Sequence, residues 1–206
     1  MLNKLSKFLI FISIILIISS IFYSSIIENQ KEQKMLTYIK ETSAISEEKL
    51  IINDNYDTDL YVEEDTKKKS KTNYIAVLEI PSINLKQGLV NSDDNFDSIN
   101  YAISIDANST YPDQNGNFIL YAHSGNSRIA YFNDLYKINL SDDLYVYYNG
   151  IKYHYKAFDK YNIDKTGKAY VINSNINKYI TLITCNQQEK GKQIIIIGKL
   201  VKQLNY

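Results

Sequence analysis

The chain has 206 residues, and its 23 basic and 23 acidic side chains balance to a formal net charge of zero. That balance argues against a nucleic-acid partner, which requires a basic face to neutralise phosphates. A single cysteine excludes an internal disulfide, and with only two histidines there are too few soft ligands for a structural zinc site.

The first residues set the compartment. Phe8 to Ile27 is an uncharged run of 20 residues. At helical rise it spans roughly 30 Å, the thickness of a bilayer's hydrocarbon core. Lys4 and Lys7 precede it and Glu28 follows, so the positive-inside rule places the N-terminus in the cytoplasm and the rest of the chain outside. The run is longer than the apolar core of a cleaved signal peptide and lacks a small-x-small cleavage site, which favours a retained anchor over residues 1–27.

Residues 28–72 read as an extracytoplasmic stalk. Met35, Leu36, Ile39 and Ile45 punctuate a polar stretch that supports a weak helix from Asn29 to Leu50. The segment from Asn53 to Lys71 is densely charged, first acidic and then basic, and lacks the apolar surface that would offset its ordering entropy.

From Asn73 to Tyr206 the pattern changes to short strands. Tyr74–Ile80 alternates as a strand, Pro81 breaks it, and Ile83–Leu85 resumes. Asn117–Tyr121 is a second strand after the turn cluster Pro112–Asn117. Leu144–Tyr148 and Ile151–Phe158 flank Asn149-Gly150, the favoured type I′ hairpin turn. Tyr179–Thr184 and Gln193–Val201 are further strands, and Ile129–Tyr136 is the one helical segment, with Phe132 and Leu135 on one face. Tyr is used 19 times and Pro twice, a composition that also favours strands. Many short strands with turn signals predict an all-β sandwich or barrel.

Two residues carry the chemistry. Cys185 ends the apolar strand Tyr179–Thr184 and opens a polar loop, and His123 follows the strand Asn117–Tyr121 at the start of another. A thiol and an imidazole at strand ends suit acyl transfer, in which the thiolate attacks a carbonyl and the imidazolium protonates the leaving amine. The competing reading is an inert, buried thiol. His154, mid-strand between Tyr153 and Tyr155, reads as structural.

The segment Thr181-Leu182-Ile183-Thr184-Cys185 resembles the TLxTC signature of sortases, membrane-anchored cysteine transpeptidases of Gram-positive bacteria. Ile80-Pro81-Ser82-Ile83-Asn84-Leu85 is similar to the family's IPxIxL opening. Gly116 to His123 is similar to its GNxxxxGH strand, with Ala122 in place of the usual Gly. Phe132 and Leu135 fit the F..L pattern after that histidine, and Ile194–Gly198 the closing strand. The resemblance spans about residues 73–203, and the separation of 62 between His123 and Cys185 suits class A or D rather than class B.

The resemblance implies a closed, roughly eight-stranded β-barrel with one or two short helices, preceded by the transmembrane helix. It implies that Cys185 attacks an LPxTG-like sorting signal of surface proteins. An amine of peptidoglycan precursor or a pilin lysine would then resolve the thioester, with His123 as general acid and then base and no cofactor required. Thr184 and Ala122 would border the bound substrate. The family's catalytic Arg, five residues before the recurrent Gly198, is replaced by Gln193. Gln193 itself, Lys192 after a register slip, or Arg128, the chain's one Arg, are the candidate substitutes; the fourth reading is a slow or inactive enzyme. The alternative function is a non-catalytic surface module that binds peptide without turnover. Asp93, Asp94 and Asp97 are three carboxylates within five residues, suited to calcium, against the plainer reading of a solvated loop.

Overall fold

The computed structural model describes residues 4–53, 74–92, 97–165, 169 and 171–206. Among the described residues, one α-helix, α1 (Lys4–Asn53), precedes eight strands that close into a barrel: β1 (Ala76–Ile80), β2 (Leu85–Asn91), β3 (Ile103–Ile105), β4 (Gly116–Tyr121), β5 (Asp143–Tyr148), β6 (Ile151–Asp164), β7 (Lys178–Cys185) and β8 (Lys192–Asn205). Around the barrel the order is β1-β2-β3-β4-β7-β8-β6-β5, with β5 closing onto β1. The expected all-β barrel is therefore observed. Closure leaves β4 and β7 as parallel neighbours although 56 residues separate the end of one from the start of the other.

Alternation places one face of each strand inside. Leu78, Ile80, Phe118, Leu120, Leu144, Val146, Tyr153, Tyr155, Ile180, Leu182, Ile194 and Ile196 form one buried cluster. Branched and aromatic side chains fill the interior at close to crystalline density, so volume changes there are felt. Gly198 marks the tightest point. A Cβ there would sit 2.7 Å from Ile180 Cγ2 and 2.8 Å from Leu144 Cδ1, both core side chains. Gly198→Ala is expected to destabilise the barrel by about 1–3 kcal/mol through overpacking, read as a lower denaturant midpoint at unchanged slope.

The hairpin between β5 and β6 turns at Asn149 (φ 49°) and Gly150 (φ 77°), both left-handed, as the Asn-Gly pair requires. Pro81 ends β1 in a short 3-10 turn over Pro81–Ile83, and Asn84 (φ 53°) swings the chain into β2. Tyr74 is not in β1; its ring lies where a Cβ on Gly88 would be.

One expected element differs. Ile129–Tyr136 is not an α-helix but a run of tight turns ending in a 3-10 helix, Leu135–Lys137. Its bonds run to the third residue back: Ala130 N–H to Ser127 C=O, Asn133 to Ala130, Leu135 to Phe132 and Lys137 to Asp134. The Phe132 N–H is drawn instead to the His123 carbonyl, so a fourth-residue ladder cannot propagate through it. Phe132 and Leu135 are nonetheless buried together, as their spacing indicated.

α1 is continuous through the expected anchor and well into the expected stalk. Its apolar part is long enough to cross a membrane and is unburied by the protein. Met35, Tyr38 and Thr42 lie against the barrel, packed with Val77 and Tyr147 and flanked by Ile39, Tyr74 and Tyr206. The charged stretch 54–73 lies outside the described residues.

Candidate active site

The site is set by one register. β4 and β7 pair with a constant offset of 62, from Gly116 against Lys178 to Tyr121 against Ile183. His123 and Cys185 differ by the same 62, so they stand at corresponding positions where the two strands run out. Three hydrogen bonds hold the strand ends together. The Ala122 N–H donates to the Ile183 carbonyl (3.4 Å), the Thr184 hydroxyl to the Ala122 carbonyl (2.8 Å), and the Ser124 hydroxyl to the Cys185 carbonyl (2.6 Å). His123 is thus flanked on both sides by residues tied to the end of β7.

Thr184 is 4 % exposed and its hydroxyl is committed to that tie. Thr184 and Ala122 accordingly join the histidine loop to the cysteine strand. Ser124 does the same and also accepts a bond from Gln187 Nε2 (2.9 Å), linking the loop after Cys185 to the loop after His123. Asn133 Oδ1 accepts the Gly125 N–H (3.1 Å) and steadies the same turn. Ser124 and Asn133 carry no motif that sequence reading singles out; only the fold shows what they bond.

Cys185 is half-buried at the mouth of a shallow cleft lined by Phe132, Asn133, Tyr136, Thr184, Asn186, Gln187 and Ile194. Neither its thiol nor the His123 imidazole has a hydrogen-bond partner among the described residues, which leaves both free to meet a ligand. The polar loop after the cysteine is fixed by buried Asn186. Its N–H donates to the Lys192 carbonyl (2.9 Å), its Oδ1 accepts from Gln188 N–H (2.8 Å), and its Nδ2 donates to Asn162 Oδ1 (3.1 Å).

The three candidate replacements for the absent Arg separate clearly. In the antiparallel β7–β8 pair, Cys185 lies directly opposite Gln193. The neighbouring Asn186–Lys192 position carries the backbone hydrogen bond, so Cys185 and Gln193 form a non-bonded pair, in which cross-strand side chains approach most closely. Gln193 is half-buried and its carboxamide is unbonded among the described residues. Lys192 falls on the opposite face, as strand alternation predicts, and its ammonium binds Asp164 at 2.7 Å. That hydrogen bond holds the Lys192 pKa above its ordinary value. No slip is present between β7 and β8 at this point; the bulges of β8's other pairing fall at His154/Tyr155 and Ala157/Asp159, remote from Gln193. Arg128 lies in the loop after His123, exposed and unpaired among the described residues.

His154 lies within β6. Its Nε2 meets Asp143 Oδ1 at 2.6 Å and its ring packs on Tyr145. Lys156 shares that carboxylate at 2.7 Å, and the two partners, Lys156 foremost, hold the Asp143 pKa below the usual range. Of the calcium candidates, Asp93 and Asp94 lie outside the described residues, and of Asp97 only the backbone is described, in a 3-10 turn over Asp97–Asn100. Among the described residues no group of three or more His, Cys, Asp or Glu is placed to hold a metal.

Comparison with known proteins agrees with this architecture. Sortase C1 from Streptococcus agalactiae superposes with a TM-score of 0.64 at 19 % identity, covering 82 % of this chain and 98 % of its own. The sortase D5 transpeptidase of Clostridium perfringens gives 0.60 at 18 % identity, covering 84 % and 98 %. Listeria monocytogenes sortase A gives 0.56 at 20 % identity, covering 65 % and 91 %. Identities this low establish the fold alone. A search of curated proteins found no match. The sortase domain family model, however, matches residues 78–201, more than half of the chain, from within β1 to within β8 and including His123, Cys185 and Gln193. On that match, with the motif strands β4 and β7 adjacent in a closed barrel, the chain belongs to the sortase family.

Proposed function

We propose that the protein is a membrane-anchored cysteine transpeptidase that cleaves an LPxTG-like sorting signal and passes the acyl group to a cell-wall or pilin amine. The observation that supports this reading is the shared offset of 62, by which His123 and Cys185 follow corresponding positions of the paired strands β4 and β7, with Cys185 lining a cleft. In the first step the Cys185 thiolate adds to the scissile Thr carbonyl, and the C–N bond breaks as His123 gives its proton to the leaving amine. In the second, His123 takes a proton from the incoming amine, which attacks the thioester and frees the thiolate. Gln193, opposite Cys185, donates its amide hydrogens to the oxyanion or the substrate backbone. The N-terminal helix holds the enzyme in the membrane with residues 1–7 cytoplasmic and the barrel outside.

The test is intact-mass spectrometry of the detergent-solubilised chain with a panel of LPxTG-like peptides, with and without an added amine. A peptide adduct on Cys185 that amine converts to product supports the reading. Absence of any adduct, on protein whose thiol still reacts with a small alkylating agent, overturns it. That result favours the second reading, a peptide-binding module without turnover, which the uncharged Gln193 supports. Calcium at Asp93, Asp94 and Asp97 is a separate proposal, checked by whether chelation changes the rate of adduct formation.

Ser124 acts as a positioning residue through its bond to the Cys185 carbonyl. Ser124→Ala is expected to lower kcat by roughly 10- to 10²-fold with little change in KM, since small misplacements of reacting groups carry losses of that size. Ser124→Thr, which keeps the hydroxyl, is expected to recover most of the rate; equal loss in both variants would remove the hydrogen bond from the argument.

A further inference from the structure

From the way α1 lies on the barrel we infer that the helix is a fixed mast that turns the Cys185 end of the barrel toward the bilayer. Lys31, Met35, Tyr38 and Thr42 recur at intervals of four, three and four residues and so occupy one helical face. Each has a partner on the barrel. The Lys31 ammonium donates to the Tyr131 hydroxyl (3.0 Å) and sits over its ring. Met35 and Tyr38 are 5 % and 3 % exposed, packed with Val77 and Tyr147, and the Tyr38 hydroxyl donates to the Ile75 carbonyl. Thr42 meets the Tyr206 hydroxyl at 2.7 Å.

These contacts give the barrel a direction. Tyr131 belongs to the loop that follows His123, and its hydroxyl donates onward to the Tyr101 carbonyl. Tyr206 lies just past the end of β8, the strand that starts beside Cys185 with Lys192 and Gln193. The loop after His123 therefore meets α1 at Lys31, and Tyr206, past the far end of β8, meets it at Thr42, about 16 Å further along the helix. At 1.5 Å per residue, Lys31 stands only about 6 Å beyond the last apolar residue of the span, Ile27, and Thr42 about 22 Å beyond it. Helix and barrel thus run with the cleft end next to the headgroups and the Gly150 end away from them. The inference rests on the proposed anchoring by Phe8–Ile27 and deepens it: the site works on scissile bonds presented at the bilayer surface, rather than on chains far out in the wall.

The experiment uses the full chain in phospholipid vesicles containing a lipid with a nitroxide quencher on its headgroup. Cys185→Ser removes the native thiol, and a fluorophore is attached through Arg128→Cys, in the loop after His123, or through Gln203→Cys, near the far end of β8. The expected result is quenching several-fold stronger at position 128 than at 203. Adding Met35→Lys, which buries a charge in the helix–barrel contact, is expected to abolish that difference while the circular dichroism of the barrel is kept. Equal quenching at both sites of vesicle-bound protein, or stronger quenching at 203, overturns the inference and leaves the anchoring intact. A chain that does not float with the vesicles overturns both.

Discussion

Gln193→Arg is expected to raise kcat/KM for an LPxTG-like peptide by roughly 10²–10³, the scale on which one oxyanion-binding donor is worth when it is aimed at developing charge. The position favours the gain. Gln193 is directly opposite Cys185, at the close-approaching type of antiparallel pair, and its carboxamide is already free of other bonds among the described residues. A guanidinium there adds a fixed positive charge and a fork of donors beside the forming oxyanion. Gln193→Ala should lower the rate by a smaller factor, since a neutral donor is about half as strong as a charged one. The measurement is the initial rate of peptide cleavage and aminolysis in both variants. An unchanged rate in Gln193→Arg, together with loss of activity in Arg128→Ala, would transfer the third role to the loop arginine.

Cys185→Ala is expected to remove transpeptidation almost entirely, by on the order of 10⁴–10⁶ in kcat, because the covalent route disappears with the nucleophile. His123→Ala should fall by a comparable factor, and the double variant hardly further, since groups that act as one unit lose their effect together. Neither thiol nor imidazole is bonded among the described residues, and the ties between β4 and β7 run through Ala122, Ser124 and Thr184, so both variants should keep the wild-type thermal midpoint. A Cys185→Ala protein that still forms acyl transfer product would exclude the thiol mechanism. One that loses activity only because it no longer folds would show a depressed midpoint, which separates the two cases.

Much of this was legible in order along the chain. The uncharged run Phe8–Ile27 needs no partner to be recognised, because a bilayer selects on length and polarity alone. Most of the strands follow from alternation, and the Asn149-Gly150 turn follows from backbone sterics, since both residues must take positive φ. The short strand β3, Ile103–Ile105, escaped because three residues give too little alternation to register. The expected helix at Ile129–Tyr136 had the right buried pair, Phe132 and Leu135, but its backbone hydrogen bonding was decided elsewhere, by the His123 carbonyl.

Sequence alone determined the apolar span, most of the strands, and where the thiol and the imidazole lie along the chain. Those properties depend on local polarity, local sterics and side-chain type. Tertiary structure alone decided which strands are neighbours, and with that everything that makes a site. The offset of 62 acquires meaning only when closure of the barrel sets β4 beside β7 in parallel. The β7–β8 register turned Gln193 toward Cys185 and left Lys192 to Asp164. Likewise Met35, Tyr38 and Thr42 are unremarkable in a polar stretch until Val77, Tyr147 and Tyr206, far along the chain, are folded against them. Pairing between distant segments is settled by burial summed over the whole core, and no window of sequence contains that sum.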